Sequence, residues 1–149
     1  MDNTRDLPGY KYFVDATTGE RPAVFVAFID LAADSQSSVN GVVFPVHDEA
    51  QLAQLDARER NYERREVTAQ VHPPITGTVW AYFGTAAARE RFERGRAAGT
   101  AVVSRGYRDG VRGGYANLGA EELARFEAST DDPGLPIRDF KRVDLPALD

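Results

Sequence analysis

The stretch that most limits what this chain can fold into is AVFVAFIDL, residues 23–31. A nearly continuous apolar run of β-branched and aromatic residues, of strand length, reads as a buried strand. A buried strand needs neighbours to pair with and layers to cover it, so the rest of the chain must supply both. Other strand signals surround it. GYKYFVD (residues 9–15) alternates around Tyr10, Tyr12 and Phe13 and leads into the turn-like ATTGERP. After the polar loop AADSQSS, VNGVVFPV (residues 39–46) reads as a third strand. Gly41 inside it predicts a bulge or a close backbone approach, and Pro45 weakens its far end.

Helical signals follow. Asp48 and Gln51 form an expected N-cap and capping-box pair, with Leu52 and Leu55 on one face of a short helix that should end near Glu59. Val67, Ala69 and Val71 alternate with Thr68 and Gln70, as in a half-buried strand terminated by HPP. TGTVWAYFGT (residues 76–85) predicts another strand, with Trp80 and Tyr82 on one face and Val79, Ala81 and Phe83 on the other. Both faces are large, so both should be covered. The segment AAARERFERGRAAG favours a surface helix with Phe92 as its apolar anchor. Tyr107, Val111 and Tyr115 then recur every four residues, a helical stripe despite the glycines around them. GAEELARFEAST predicts a short helix, DDPGLP a turn and IRDFKRVDL a closing strand. Strands with one inserted helix, followed mainly by helices, point to one α+β domain over residues 1–149.

Composition removes several function classes. A net charge of −5, with basic residues interleaved among acids, argues against a nucleic-acid surface. The absence of cysteine removes disulfides, thiolate nucleophiles and zinc–sulfur sites. His47 and His72 have no ligand-like spacing, so no metal is expected. No apolar run reaches the roughly 20 residues of a membrane span, and MDNTRDLPGYK lacks the regions of a signal peptide, so a cytoplasmic location is the expectation. Ser104, Ser129 and Thr130 have no motif placing a histidine beside them, which argues against a hydrolase triad. GRAAG and GVRGG lack the context of a phosphate-binding loop and read as turns.

Glu59 is the leading candidate for chemistry, and two readings of it compete. Among Arg58, Arg60, Arg64 and Arg65 it fits a solvated ion-pair partner. At the point where a helix gives way to a strand it also fits a positioned acid–base group. Tyr62, Tyr82 and Tyr107 fit either core-edge packing or the lining of a pocket.

The order VNGVVFPV, EAQLAQLDARE and YERREVTAQV resembles the γ-glutamylcyclotransferase-like (AIG2-like/ChaC-like) family, whose pattern is an apolar strand with an internal Gly, Leu-Asp-x-x-Glu, a nearby Tyr and another strand. LPGYKYF upstream and VSRGYRDGVRGGYANLG downstream are similar to the family's flanking segments. The resemblance implies a small mixed β-barrel or strongly bent sheet with short helices around it. It also implies Glu59 as general acid/base and Tyr62, Tyr82 and Tyr107 close to the pocket. The implied reaction is cyclisation of a γ-glutamyl amine or amino acid to 5-oxoproline with no cofactor; the partner is the small-molecule substrate, not a nucleic acid or a membrane.

One departure stands out. Family members open with a strand ending in Tyr-Gly-Ser, whose loop amides bind the glutamyl group and the developing oxyanion, and no Tyr-Gly-Ser occurs in residues 1–149. The expectation is that the chain starts beyond that strand, leaving a sheet edge open to dimerisation or strand exchange. The departure keeps two alternatives open: a non-catalytic binding or assembly module of the same fold, or an enzyme repurposed for a different cyclisation in a biosynthetic pathway.

Overall fold

The computed structural model describes residues 1–146 and shows an α+β fold. In chain order the elements are β1 (Lys11–Asp15), β2 (Phe25–Ala27), α1 (Glu49–Arg58), β3 (Tyr62–Glu66), a 3-10 turn (Thr68–Gln70), β4 (Trp80–Gly84), α2 (Ala86–Ala97), β5 (Ala101–Ser104), α3 (Arg105–Leu118), α4 (Ala120–Ala128), β6 (Ile137–Arg138) and β7 (Phe140–Asp144). The strands form three small sheets: β1 antiparallel to β7, β2-β5-β6 all parallel, and β3 antiparallel to β4. These sheets do not close into a barrel.

The core forms where the first apolar run sits. Phe13, Val24, Val26 and Val102 are buried, with Met1, Phe28 and Phe140 packed against them. Phe13 lies between Phe28 and Phe140, at ring-centroid distances of 6.3 Å and 6.0 Å. Helix α2 approaches β2 so closely that a Cβ on Gly95 would sit 2.8 Å from Phe25 Cβ. Phe92 is therefore not the sole anchor of this helix, because the absence of a side chain at Gly95 also seats it.

The outer edge of β2 is covered by the first residues, whereas the two-stranded sheets keep free edges among the described residues. Asp2 bridges to Phe25, Val26 N–H donates to the Met1 carbonyl at 2.8 Å, and Asn3 N–H donates to the Val24 carbonyl at 3.0 Å. Asn3 is fully buried; its Nδ2 donates to the carbonyls of Phe13 and Pro22 and its Oδ1 accepts from Phe13 N–H. An amide side chain carries both donors and an acceptor, so one residue ties β1 to the edge of β2 and satisfies three backbone groups, both of those on Phe13 buried.

Three strand expectations need correction. Residues 39–46 form no strand, and Val42 and Phe44 are 65% and 58% exposed. No strand edge lies alongside to complete a ladder. The segment is instead held by polar bonds from helices: Asn40 Nδ2 donates to the Glu122 carbonyl and to Glu122 Oε2, and the Tyr115 hydroxyl donates to the Asn40 carbonyl. Gly41 has open space around it, so it marks no close approach. The strand expected at residues 67–71 begins earlier, at Tyr62, because the ladder with β4 pairs Tyr62 with Gly84 and Glu66 with Trp80. It stops where Thr68 Oγ1 takes the Val79 N–H and the chain enters the 3-10 turn. Strand β2 is also shorter than its apolar run, because the backbone of Ile29 is bonded to side chains and not to a strand.

Candidate functional site

The helix carrying Leu52 and Leu55 forms as its sequence predicts. Asp48 caps it by accepting from Gln51 N–H at 2.7 Å, and the Gln51 amide oxygen accepts from His47 N–H. Its last turn delivers Glu59 as the C-cap, with Glu59 N–H donating to the Leu55 carbonyl and Tyr62 N–H donating back to the Glu59 carbonyl. Both backbone groups of Glu59 are thus fixed. Its side chain is only 27% exposed and pairs with Arg58 at 3.1 Å.

The arginines around it do more than meet solvent. Arg64 lies over the Trp80 ring and pairs with Asp56, and Arg65 lies over the Phe83 ring. Each guanidinium lies over one ring with its charge still reaching water, but the expectation that both faces of β4 are covered does not hold at Trp80, which stays 42% exposed.

Tyr62 and Tyr107 converge on a single residue. The Tyr62 hydroxyl donates to the Ile29 carbonyl at 2.8 Å, and the Tyr107 hydroxyl accepts from Ile29 N–H at 3.1 Å. Strand β3 and helix α3 together clamp the exit of the first apolar run. Tyr107 also packs edge-on against Phe28, at 4.8 Å between centroids. Tyr82 points elsewhere, its hydroxyl donating to Asp56 Oδ1 on α1 at 2.7 Å.

Electrostatics gather these residues around Glu59. Burial raises the pKa of Tyr62 and Tyr107, and the Glu59 carboxylate adds to the rise in both. Tyr82 is pushed up to about 12 by desolvation and by its bond to Asp56, with Glu59 again contributing. Burial likewise raises Tyr10, with a smaller push from Glu59. Lys11 is lowered by burial and by Arg142, and Glu59 opposes the shift. One carboxylate therefore acts on four phenols and an ammonium, and in each case its charge favours the protonated form.

Several of these residues escape a sequence reading. Tyr10 and Lys11 look like ordinary strand positions, and Asn61 looks like a turn residue. In the structure Asn61 Nδ2 donates to the Tyr10 hydroxyl, while Arg91 donates to Asn61 Oδ1. Asp30 also escapes notice. Its carboxylate accepts from Gly84 N–H at 2.6 Å and from Arg89 Nε at 2.8 Å. A Cβ on Gly84 would lie 2.5 Å from Asp30 Oδ2, so the glycine inside a strand pattern was the available signal. Ser104 is buried at the start of α3, far from the role of a nucleophile beside a histidine.

Among the described residues no cluster of three His, Asp or Glu side chains could hold a metal ion, and no helix is long and apolar enough to cross a membrane. Comparison with known proteins gives one match: residues 2–99 fit the family model described as gamma-glutamyl cyclotransferase, AIG2-like. No curated protein and no solved structure matches. The matched region contains Glu59, Tyr62 and Tyr82, while Tyr107 lies beyond it. Because it spans well over half of the chain, the protein belongs to the AIG2-like γ-glutamyl cyclotransferase family.

Proposed function

We propose that the chain cyclises γ-glutamyl amines or γ-glutamyl amino acids to 5-oxoproline, with Glu59 as general base and then general acid. The observation that carries this reading is the position of the Glu59 carboxylate, which is backbone-anchored at the end of α1, largely shielded, and acts on Tyr10, Tyr62, Tyr82, Tyr107 and Lys11 together. In the reaction Glu59 removes a proton from the substrate's α-ammonium. The freed amine attacks the γ-carbonyl carbon and forms the lactam C–N bond. Collapse of the tetrahedral intermediate breaks the bond to the leaving nitrogen, which takes the proton back from Glu59, while the second proton of the ring nitrogen passes to the departing amine, so that the products are the neutral lactam and an ammonium ion.

One carboxyl group suffices because the nucleophile is tethered to the electrophile, so the entropic part of the barrier is largely removed when the substrate is folded. The tyrosines suit that task. Tyr62 and Tyr107 have their hydroxyls committed to Ile29, so they hold the site in shape and do not exchange protons, and Tyr107 lines a cavity wall. The test is incubation with γ-glutamyl amines and γ-glutamyl amino acids, with 5-oxoproline measured by mass spectrometry. Release of 5-oxoproline from at least one donor is the expected result.

A second reading rests on the absence of Tyr-Gly-Ser from residues 1–149, since loss of an oxyanion-binding loop costs about 10²–10³ in rate for each donor removed. On that reading the fold binds a small molecule without turning it over. Binding of a γ-glutamyl compound with no 5-oxoproline formed at high enzyme concentration would favour it.

A further inference from the structure

Beside the residues around Glu59 lies a cavity of ≈ 250 Å³, formed where β1, β7 and the start of α3 meet. Lys11, Phe28, Ser104, Gly106, Tyr107 and Arg142 are among its lining residues. Its volume is below the roughly 300–1,000 Å³ typical of sites for drug-sized ligands, so it suits a small molecule. We propose that this cavity binds the α-carboxylate of the glutamyl group, and so turns the substrate's α-ammonium toward Glu59. This proposal rests on the cyclotransferase reading and adds to it the residues that recognise the substrate's acid.

Three observations support an anion here. The first is Ser104, which is 3% exposed and opens α3 without making the capping hydrogen bond expected of an N-terminal serine. Ser104 lines the cavity, and its hydroxyl is free of the cap bond that would otherwise occupy it. The second is α3 itself, a 14-residue helix whose first-turn amides and positive dipole end lie at the same wall, contributed through Gly106. The third is Lys11. Its ammonium sits 4.8 Å from the Phe28 ring centroid and makes no ion pair with a carboxylate among the described residues.

The remaining charges fit the same picture. Arg142 lines the cavity but is already bonded to Asp144 through Nε at 2.7 Å, so its contribution is a positive field more than a free donor. Burial first and then that field lower the Lys11 pKa, while the Glu59 and Asp144 carboxylates oppose the shift without pairing with the ammonium among the described residues. A carboxylate placed between Lys11 and the Ser104 hydroxyl would satisfy both and relieve the repulsion. Phe28 and Tyr107 supply apolar walls for the methylene groups of a glutamyl chain. Glu59, which acts on both Lys11 and Tyr107, repels the acid end and attracts the ammonium. A zwitterionic substrate therefore has one favourable orientation.

The test measures binding, so it stands apart from turnover. Titrations by NMR or calorimetry use 5-oxoproline, 2-pyrrolidinone, which is the same lactam without the carboxylate, and glycine as a free leaving amino acid. The expected result is that 5-oxoproline binds at least about tenfold more tightly than 2-pyrrolidinone, and that Lys11→Met and Ser104→Ala each remove most of that difference. Glu59→Gln should still bind 5-oxoproline, so a chain that binds the acid but releases none would overturn the catalytic reading alone. Equal binding of the two lactams, or no binding of either, overturns the cavity assignment. So does an unchanged preference in Ser104→Ala, the variant that leaves β1 intact should Lys11→Met fail to fold. If glycine binds there and 5-oxoproline does not, the acid recognised is that of the leaving group and the glutamyl assignment is overturned.

Discussion

Two apolar runs that look alike in the sequence, residues 23–31 and 39–46, end in opposite environments. In the first, Val26 is fully buried between β5 and the edge made by Met1 and Asp2. In the second, Val42 is 65% exposed and no ladder forms. Both runs contain β-branched and aromatic residues, so intrinsic preference does not separate them. What separates them is partners. The first has a strand on one side, the buried amide of Asn3 stitching the other, and a helix seated on it through Gly95. The second is crossed only by side-chain bonds from Tyr115 and to Glu122. A strand is a relation between segments before it is a property of one.

Truncation on the packed side should have the largest effect. Phe13→Ala removes the ring between Phe28 and Phe140 and should destabilise the fold by about 3–5 kcal/mol, measured by denaturant unfolding. A cost below about 1 kcal/mol would show that this core does not carry the fold. A smaller effect is expected where the first run leaves the core. Gly84→Ala would force a methyl group onto the Asp30 carboxylate and should cost about 1–3 kcal/mol. The smallest is on the second run, where Phe44→Ser should change stability by no more than about 0.5 kcal/mol, because the ring is already 58% exposed. A large loss there would mean that residues 39–46 are covered in solution.

The raised phenols, Tyr62 and Tyr107 clamping Ile29 and Tyr82 bonded to Asp56, offer a milder probe. Folded-state pKa values raised above the ordinary 10 mean that the native chain holds these protons longer than the unfolded chain does. Their contribution to stability is fully present below pH 10 and is lost as pH rises through the folded values, about 12 for Tyr82. Ultraviolet titration of the phenolates should show a group of tyrosines ionising above pH 10, with unfolding becoming easier over that window. Six tyrosines titrating together near pH 10 would contradict the clamp.

Much of the chain was legible in its sequence because the signals were local. The Asp48 cap, the helix end at Glu59 and the four-residue stripe from Tyr107 to Tyr115 depend on neighbours a turn away, and all appear where expected. Pairing was less legible. The charged strand Tyr62–Glu66 has no apolar alternation, because its backbone pairs with β4 while Arg64 and Arg65 cover aromatic rings. The candidate site divides the same way. Glu59, Tyr62, Tyr82 and Tyr107 were named by resemblance, whereas Lys11, Asp30 and Asn61 enter only through contacts between distant segments.

In the proposed cyclisation the protons move through the Glu59 carboxylate. Glu59→Gln keeps the shape of the side chain and removes its basicity, so the direct measurement is 5-oxoproline release by this variant beside the parent, with unfolding curves compared for both. A loss of about 10²–10⁴ in rate at unchanged stability is expected. Turnover equal to the parent would contradict it and return Glu59 to the role of an ion-pair partner for Arg58.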